Sequence, residues 1–139
     1  MAKILVIDDE RSIRNSMKDI LSFEGHEVSI AENGLEGLVA VKTNKPEVVF
    51  CDIKMPKMEG IEVLERIKEI APETSVVMIS GHGTIDTAIE AIKKGAYDFI
   101  EKPLDLNRIL ITIKNATDKS QLLQEQQTLK TKVSKKYEM

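Results

Sequence analysis

Asp8, Asp9, Asp52, Ser80 and Lys102 are the residues of this 139-residue sequence whose types and positions suit one piece of chemistry. Three carboxylates drawn together disfavour one another's charge. A hard divalent cation relieves that repulsion. Mg²⁺ takes a few carboxylates, keeps several waters and accepts phosphate oxygens. A lysine ammonium on the same side adds positive charge. A carboxylate nucleophile, a metal and a cation converging on one point are the parts of phosphoryl transfer, which needs an in-line nucleophile and neutralised equatorial oxygens. Each residue alone has a plainer reading. Asp8 or Asp9 could cap a helix, Asp52 could sit in a turn, and Lys102, before Pro103, could be a solvated loop lysine.

Their shared setting separates the two readings. Five short apolar runs recur: Ile4–Ile7, Val28–Ala31, Val48–Cys51, Val76–Ile79 and Tyr97–Ile100. Most are continuous rather than alternating, as in strands covered on both faces of a parallel sheet. Between them lie stretches with helical spacing. Ile13, Met17, Ile20 and Leu21 form one stripe; Leu35, Leu38 and Val41 form another. Ile61, Leu64, Ile67 and Lys68 mark a third helix, and Thr84 to Lys94 a fourth, with Ile85, Ala88, Ile89 and Ile92 on one face. Leu106, Ile109, Leu110 and Ile113 begin a fifth. Gly25 and Gly95 close the first and fourth helices, and Pro46 and Pro72 fall in helix-to-strand turns.

The order is (βα)₅, which right-handed crossovers wind into an α/β sheet with helices on both faces. Five strands favour the flavodoxin-like doubly wound order 2-1-3-4-5, with a crevice past the carboxyl ends of strands one and three. Asp8 and Asp9 follow strand one, Asp52 strand three, Ser80 strand four and Lys102 strand five. The expectation is one acidic, metal-dependent crevice.

Composition restricts the alternatives. The chain is 42% hydrophobic and 31% charged, with a formal charge of −3, which makes no electrostatic case for binding nucleic acid. No apolar run suggests a membrane span or a signal peptide. Cys51 is the single cysteine, so no internal disulfide forms and a reducing cytoplasm is expected. Residues 118–139 differ from the rest: five lysines against three acids, no glycine or proline, and Leu122, Leu129 and Val133 spaced by seven and four. They read as a C-terminal helical extension beyond a domain of residues 1–117, with less than two good heptads of coiled-coil pattern.

Four signatures stand in order: Ile4-Leu5-Val6-Ile7-Asp8-Asp9-Glu10, the segment from Asp52-Ile53-Lys54-Met55-Pro56 to Gly60, Ser80-Gly81, and Lys102-Pro103. Together they resemble the response-regulator receiver domain of two-component signalling, over roughly residues 2–117. The resemblance implies that Asp52 is the phosphoacceptor, charged by a sensor histidine kinase. It implies Mg²⁺ held by Asp8, Asp9, Asp52 and the backbone carbonyl of Lys54. Ser80 matches the hydroxyl that bonds the phosphoryl group, Lys102 the lysine on a phosphoryl oxygen, and Phe99 the aromatic that swings inward on activation. Such a protein is not a turnover enzyme; it catalyses its own aspartyl phosphorylation and dephosphorylation. The Asp52, Ser80-Gly-His-Gly-Thr and Gly95-to-Pro103 segments are most similar to receivers of the nitrogen-regulation type. There the receiver precedes an ATPase that activates sigma-54 RNA polymerase, and then a DNA-binding domain. The chain stops near where such an ATPase would begin, and no P-loop pattern occurs in it.

Other readings fit less well. A receiver-fold module that is never phosphorylated would lack an acid or the lysine. A flavodoxin-like cofactor binder would not place Asp8-Asp9-Glu10 after strand one. A haloacid-dehalogenase-like phosphatase would space its two acids by one residue, whereas Asp8 and Asp9 are adjacent. Cys51 and the methionines Met55 and Met58 read as packing. His26 reads as a turn residue, and His82 as either a neighbour of the phosphoryl group or a solvated loop side chain. A homodimer is expected, because Leu122, Leu129 and Val133 have no sheet to pack against; the stripe is short, so the surface of residues 84–117 must contribute the rest, and the plainer alternative is a frayed linker.

Overall fold

The computed structural model describes residues 2–55, 58–81 and 85–118. Strands and helices alternate: β1 (Lys3–Ile7), α1 (Arg11–Phe23), β2 (Glu27–Ala31), α2 (Gly34–Asn44), β3 (Val48–Asp52), α3 (Gly60–Ile70), β4 (Ser75–Ser80), α4 (Ile85–Lys93) and β5 (Asp98–Glu101). A further helix, α5, runs over 106–118 to the edge of the described residues. All pairings are parallel, and the sheet order is β2-β1-β3-β4-β5. The expected topology is therefore the observed one.

Alternation along the central strands supplies both faces with apolar side chains, because successive residues point to opposite sides. Leu5, Ile7, Val49, Cys51, Val76 and Met78 join the core under α2, α3 and α4. Ile4, Val6, Phe50, Val77, Ile79 and Ile100 meet α1 and α5 through Met17, Leu21, Ile109 and Ile113. This two-sided burial is why the strands read as unbroken apolar runs. Gly25 and Gly95 have φ of +94° and +106°, a left-handed backbone that ends α1 and α4 at little steric cost. Lys68 bonds across a helix-to-strand turn, donating from Nζ to the carbonyls of Pro72 and Thr74. His26 does lie in a turn, where Nδ1 accepts the backbone N–H of Ala2 at 3.1 Å.

The helix α4 differs in orientation from a core helix. Its apolar stripe does not face the sheet: Ala91 is the residue buried there, whereas Ile85 is 80% exposed and Ile89 and Ile92 are about half exposed. Alanine lets the helix sit close to β5 and turns the isoleucines outward. Leu35 on α2 and Leu106 on α5 are also exposed. No helix among the described residues is long and apolar enough to cross a membrane. The stripe of Leu122, Leu129 and Val133 lies outside the described residues, as do His82 and Thr84.

Candidate functional site

Sheet register alone assembles the crevice. Ile7 pairs with Cys51, so the next residues, Asp8 and Asp52, emerge side by side. Asp52 pairs with Ile79, which puts Ser80 one step beyond. Ser80 pairs with Glu101, which puts Lys102 one step beyond that. Backbone bonds hold these ends in place. Asp8 N–H donates to the Ala31 carbonyl at 3.1 Å, and Lys102 N–H to the Ser80 carbonyl at 2.8 Å. The Lys102–Pro103 peptide is cis.

Behind Asp52 the chain turns tightly into α3. Gly60 N–H donates to the Ile53 carbonyl at 2.7 Å. A Cβ on Gly60 would lie 2.1 Å from the Asp52 carbonyl oxygen and 2.7 Å from Ile53 Cα. Both are backbone atoms that cannot swing aside, so only glycine lets the helix start this close to the acidic residue.

The side chains converge on Lys102. Its Nζ lies 3.0 Å from Glu10 Oε1, 3.2 Å from Asp8 Oδ2 and 3.4 Å from Asp52 Oδ2. Oxygens of Asp8, Glu10 and Asp52 fall within 4.8 Å of one another. Asp8 is fully buried and Asp52 is 5% exposed. One Asp8 oxygen accepts the Glu10 N–H at 2.9 Å. The other, Oδ2, is buried and touches Lys102 as a charge contact without hydrogen-bond geometry, so it has no hydrogen-bond partner. On α1, Arg14 donates from Nη1 to the Asp8 carbonyl at 2.7 Å.

Burial dominates the electrostatics. It raises the pKa of Asp52 from 3.8 to about 6; the neighbouring Asp8 charge adds to this, and Lys102 and the Lys54 N–H work against it. Asp8 is raised as well, again chiefly by burial, against the pull of the Glu10 N–H and Lys102. Burial alone would lower Lys102, but its bond to Glu10 and the charges of Asp8 and Asp52 outweigh burial and raise it. The site is thus short of positive charge: two buried carboxylates and a third at the rim share one ammonium. The buried Asp8 Oδ2, without a hydrogen-bond partner, lies close to the Asp52 carboxylate; hard oxygens so placed fit Mg²⁺.

Four of the five residues read from strand ends, Asp8, Asp52, Ser80 and Lys102, meet here. Asp9 does not join them; its side chain is exposed, and Glu10 stands in the carboxylate cluster instead. The sequence reading did not single out Glu10, although a signal was present. Chain leaving a strand still alternates, so Asp8 and Glu10 share one side and Asp9 takes the other. Lys54 is exposed two residues beyond Asp52. Phe99 is half-buried against the core on the α4 side of the sheet. Cys51 is fully buried, and burial pushes its thiol well above the usual range, so it is packing and not a nucleophile.

The sequence matches the response regulator receiver domain over residues 4–114. The chain belongs to this family. Relatives agree: the nitrogen assimilation regulatory protein NtrX of Azorhizobium caulinodans is 40% identical over 129 residues, 91% of this chain and 28% of that protein. NtrX from Brucella abortus has a solved structure that matches with a TM-score of 0.87 at 44% identity, over 93% of this chain and 30% of that one. The beryllofluoride-activated NtrC4 receiver domain, solved in solution as a dimer, matches with a TM-score of 0.81 at 42% identity, over 85% of this chain and 98% of that one. The receiver spans less than a third of the length of the curated relatives it matches.

Proposed function

We propose that this receiver accepts a phosphoryl group on Asp52 from the phosphohistidine of a sensor histidine kinase. The observation that carries the reading is the Asp52 carboxylate: buried at a strand end, 3.4 Å from Lys102 and crowded by Asp8. An Asp52 oxygen attacks phosphorus, the P–N bond of the donor breaks, and the imidazole nitrogen keeps the electron pair and takes up a proton. Lys102 and the Ser80 hydroxyl then bond the oxygens of the new phosphoryl group. Asp8, Asp9, Asp52 and the Lys54 carbonyl would hold Mg²⁺, which when bound neutralises the carboxylates and the transferring oxygens. Asp9 faces solvent here, so in this reading its side chain turns inward. Hydrolysis of the acyl phosphate resets the site. The chain acts on itself in both steps and turns over no other substrate.

The readout in this proposal is the surface of α4, β5 and α5. Ser80 drawn toward phosphate opens space into which Phe99 moves, and the exposed Ile85, Ile89 and Ile92 become part of an altered homodimer contact. The NtrX and NtrC4 likeness favours a regulator of the nitrogen-regulation type acting in the cytoplasm, with output through a sigma-54-dependent ATPase and a DNA-binding domain. The chain, at −3 overall, makes no direct nucleic-acid contact in this reading.

Acetyl phosphate tests it. The protein should gain one phosphoryl mass with Mg²⁺ present. Asp8→Ala should impair the reaction by weakening metal binding. A full adduct with EDTA present contradicts the reading.

A further inference from the structure

Lys102 has three N–H donors and three carboxylate neighbours, Glu10, Asp8 and Asp52 at 3.0, 3.2 and 3.4 Å. A phosphoryl group on Asp52 brings further acceptors of higher charge to the same ammonium. Two of its hydrogen bonds go to Glu10 and Asp52, and the phosphoryl oxygens compete with these partners for the ammonium. Asp8 and Asp52 are enclosed, their side chains 0% and 8% exposed. The Glu10 side chain is 55% exposed and can return to water. Glu10 also holds the shortest of the three contacts.

Its place in the chain makes this contact more than a passing one. Glu10 is the N-cap residue of α1, with an extended backbone (φ −85°, ψ 115°). An acid there could accept a helix N–H. Glu10 makes no side-chain cap bond. Its carboxylate reaches instead to a lysine 92 residues away.

We propose that Glu10 is a latch on Lys102: it holds the ammonium at the rim in the unphosphorylated receiver, and the phosphoryl group must displace it. Glu10 is a positioning residue that sets how strongly the site favours the unphosphorylated state. The proposal rests on the phosphoacceptor reading of Asp52. It predicts that neutralising Glu10 favours the phosphorylated state.

Beryllofluoride, which bonds a carboxylate oxygen in place of a phosphoryl group, measures this at equilibrium. At saturating Mg²⁺, Glu10→Gln should bind it about two- to fivefold tighter than the native protein, the range of a half-exposed ion pair. In a Lys102→Met background the same substitution should change affinity little, because the latch has nothing to hold. The ¹⁵N signal of the Lys102 ammonium in metal-free protein should shift in Glu10→Gln. Unchanged or weaker beryllofluoride binding by Glu10→Gln overturns the latch. So does an Mg²⁺ affinity about tenfold lower or worse, which would make Glu10 a metal ligand. If the native protein with Mg²⁺ binds no beryllofluoride at all, the phosphoacceptor reading itself fails.

Discussion

Asp52→Asn should make the metal-free receiver more stable at neutral pH, although it removes the residue the site is built around. Burial and Asp8 raise the Asp52 pKa from 3.8 to about 6. Between those values the folded chain keeps the Asp52 proton and the unfolded chain releases it. Stability therefore falls as pH rises through that window, and the penalty is complete above about 6. At about 1.4 kcal/mol per pH unit, the ceiling is about 3 kcal/mol. Asparagine leaves Lys102 with one partner fewer, and solvent relaxation lowers the penalty, so a gain of about 1–2 kcal/mol is expected. For a domain of this size that is about 4–8 °C in Tm. The assay is thermal unfolding of both proteins in EDTA, from neutral to acidic pH. The gain should shrink as pH falls through the window, because Asp52 in the native protein becomes neutral. The raised pKa of Asp8 gives both proteins a parallel dependence. Mg²⁺ should narrow or reverse the difference by stabilising the native protein more. A variant less stable than the native protein at neutral pH in EDTA, or a gain that grows with acid, would refute the reasoning.

Three other outcomes follow from the structure. Gly60→Ala should cost about 2–4 kcal/mol in denaturant unfolding and impair phosphorylation, since its Cβ meets the Asp52 and Ile53 backbone; native stability in that variant would show that the turn can open. Phosphorylation should shift amide signals across residues 85–110 as well as near Asp52, with Ser80→Ala and Lys102→Ala blunting the change. Two charge-assisted bonds at roughly 1.5–3 kcal/mol each approach the roughly 5.5 kcal/mol that inverts a 1:99 equilibrium, so shifts confined to the crevice would rule out the relay. In sedimentation, the full chain should dimerise at tens of micromolar and a version ending at Thr117 should do so more weakly; monomers throughout, with and without phosphate, would end the dimer proposal.

The strand ends were readable because a doubly covered parallel sheet leaves unbroken apolar runs, and each run stops where the chain reaches the crevice. Asp8, Asp52, Ser80 and Lys102 needed only the strand order and an in-step register to be brought together. Cys51 was readable for the same reason. The direction of α4 was not. Its period marks an apolar stripe over Ile85, Ile89 and Ile92 but carries no information on which side meets the sheet, and Ala91 decides that through its small size. Glu10 was missed because its contact depends on how far Lys102 reaches across the crevice. Adjacent acids looked like one feature, whereas alternation past β1 separates Asp9 from Asp8 and Glu10.

The phosphoryl group, in this reading, sits on Asp52. Borohydride reduces an acyl phosphate to the alcohol, converting a phosphorylated aspartate into homoserine. The receiver should be charged with acetyl phosphate and Mg²⁺, reduced, digested and sequenced by mass spectrometry. Homoserine at position 52, absent from Asp52→Asn and from protein charged in EDTA, is the predicted result. Homoserine at position 8, 9 or elsewhere, with position 52 still aspartate, would contradict it.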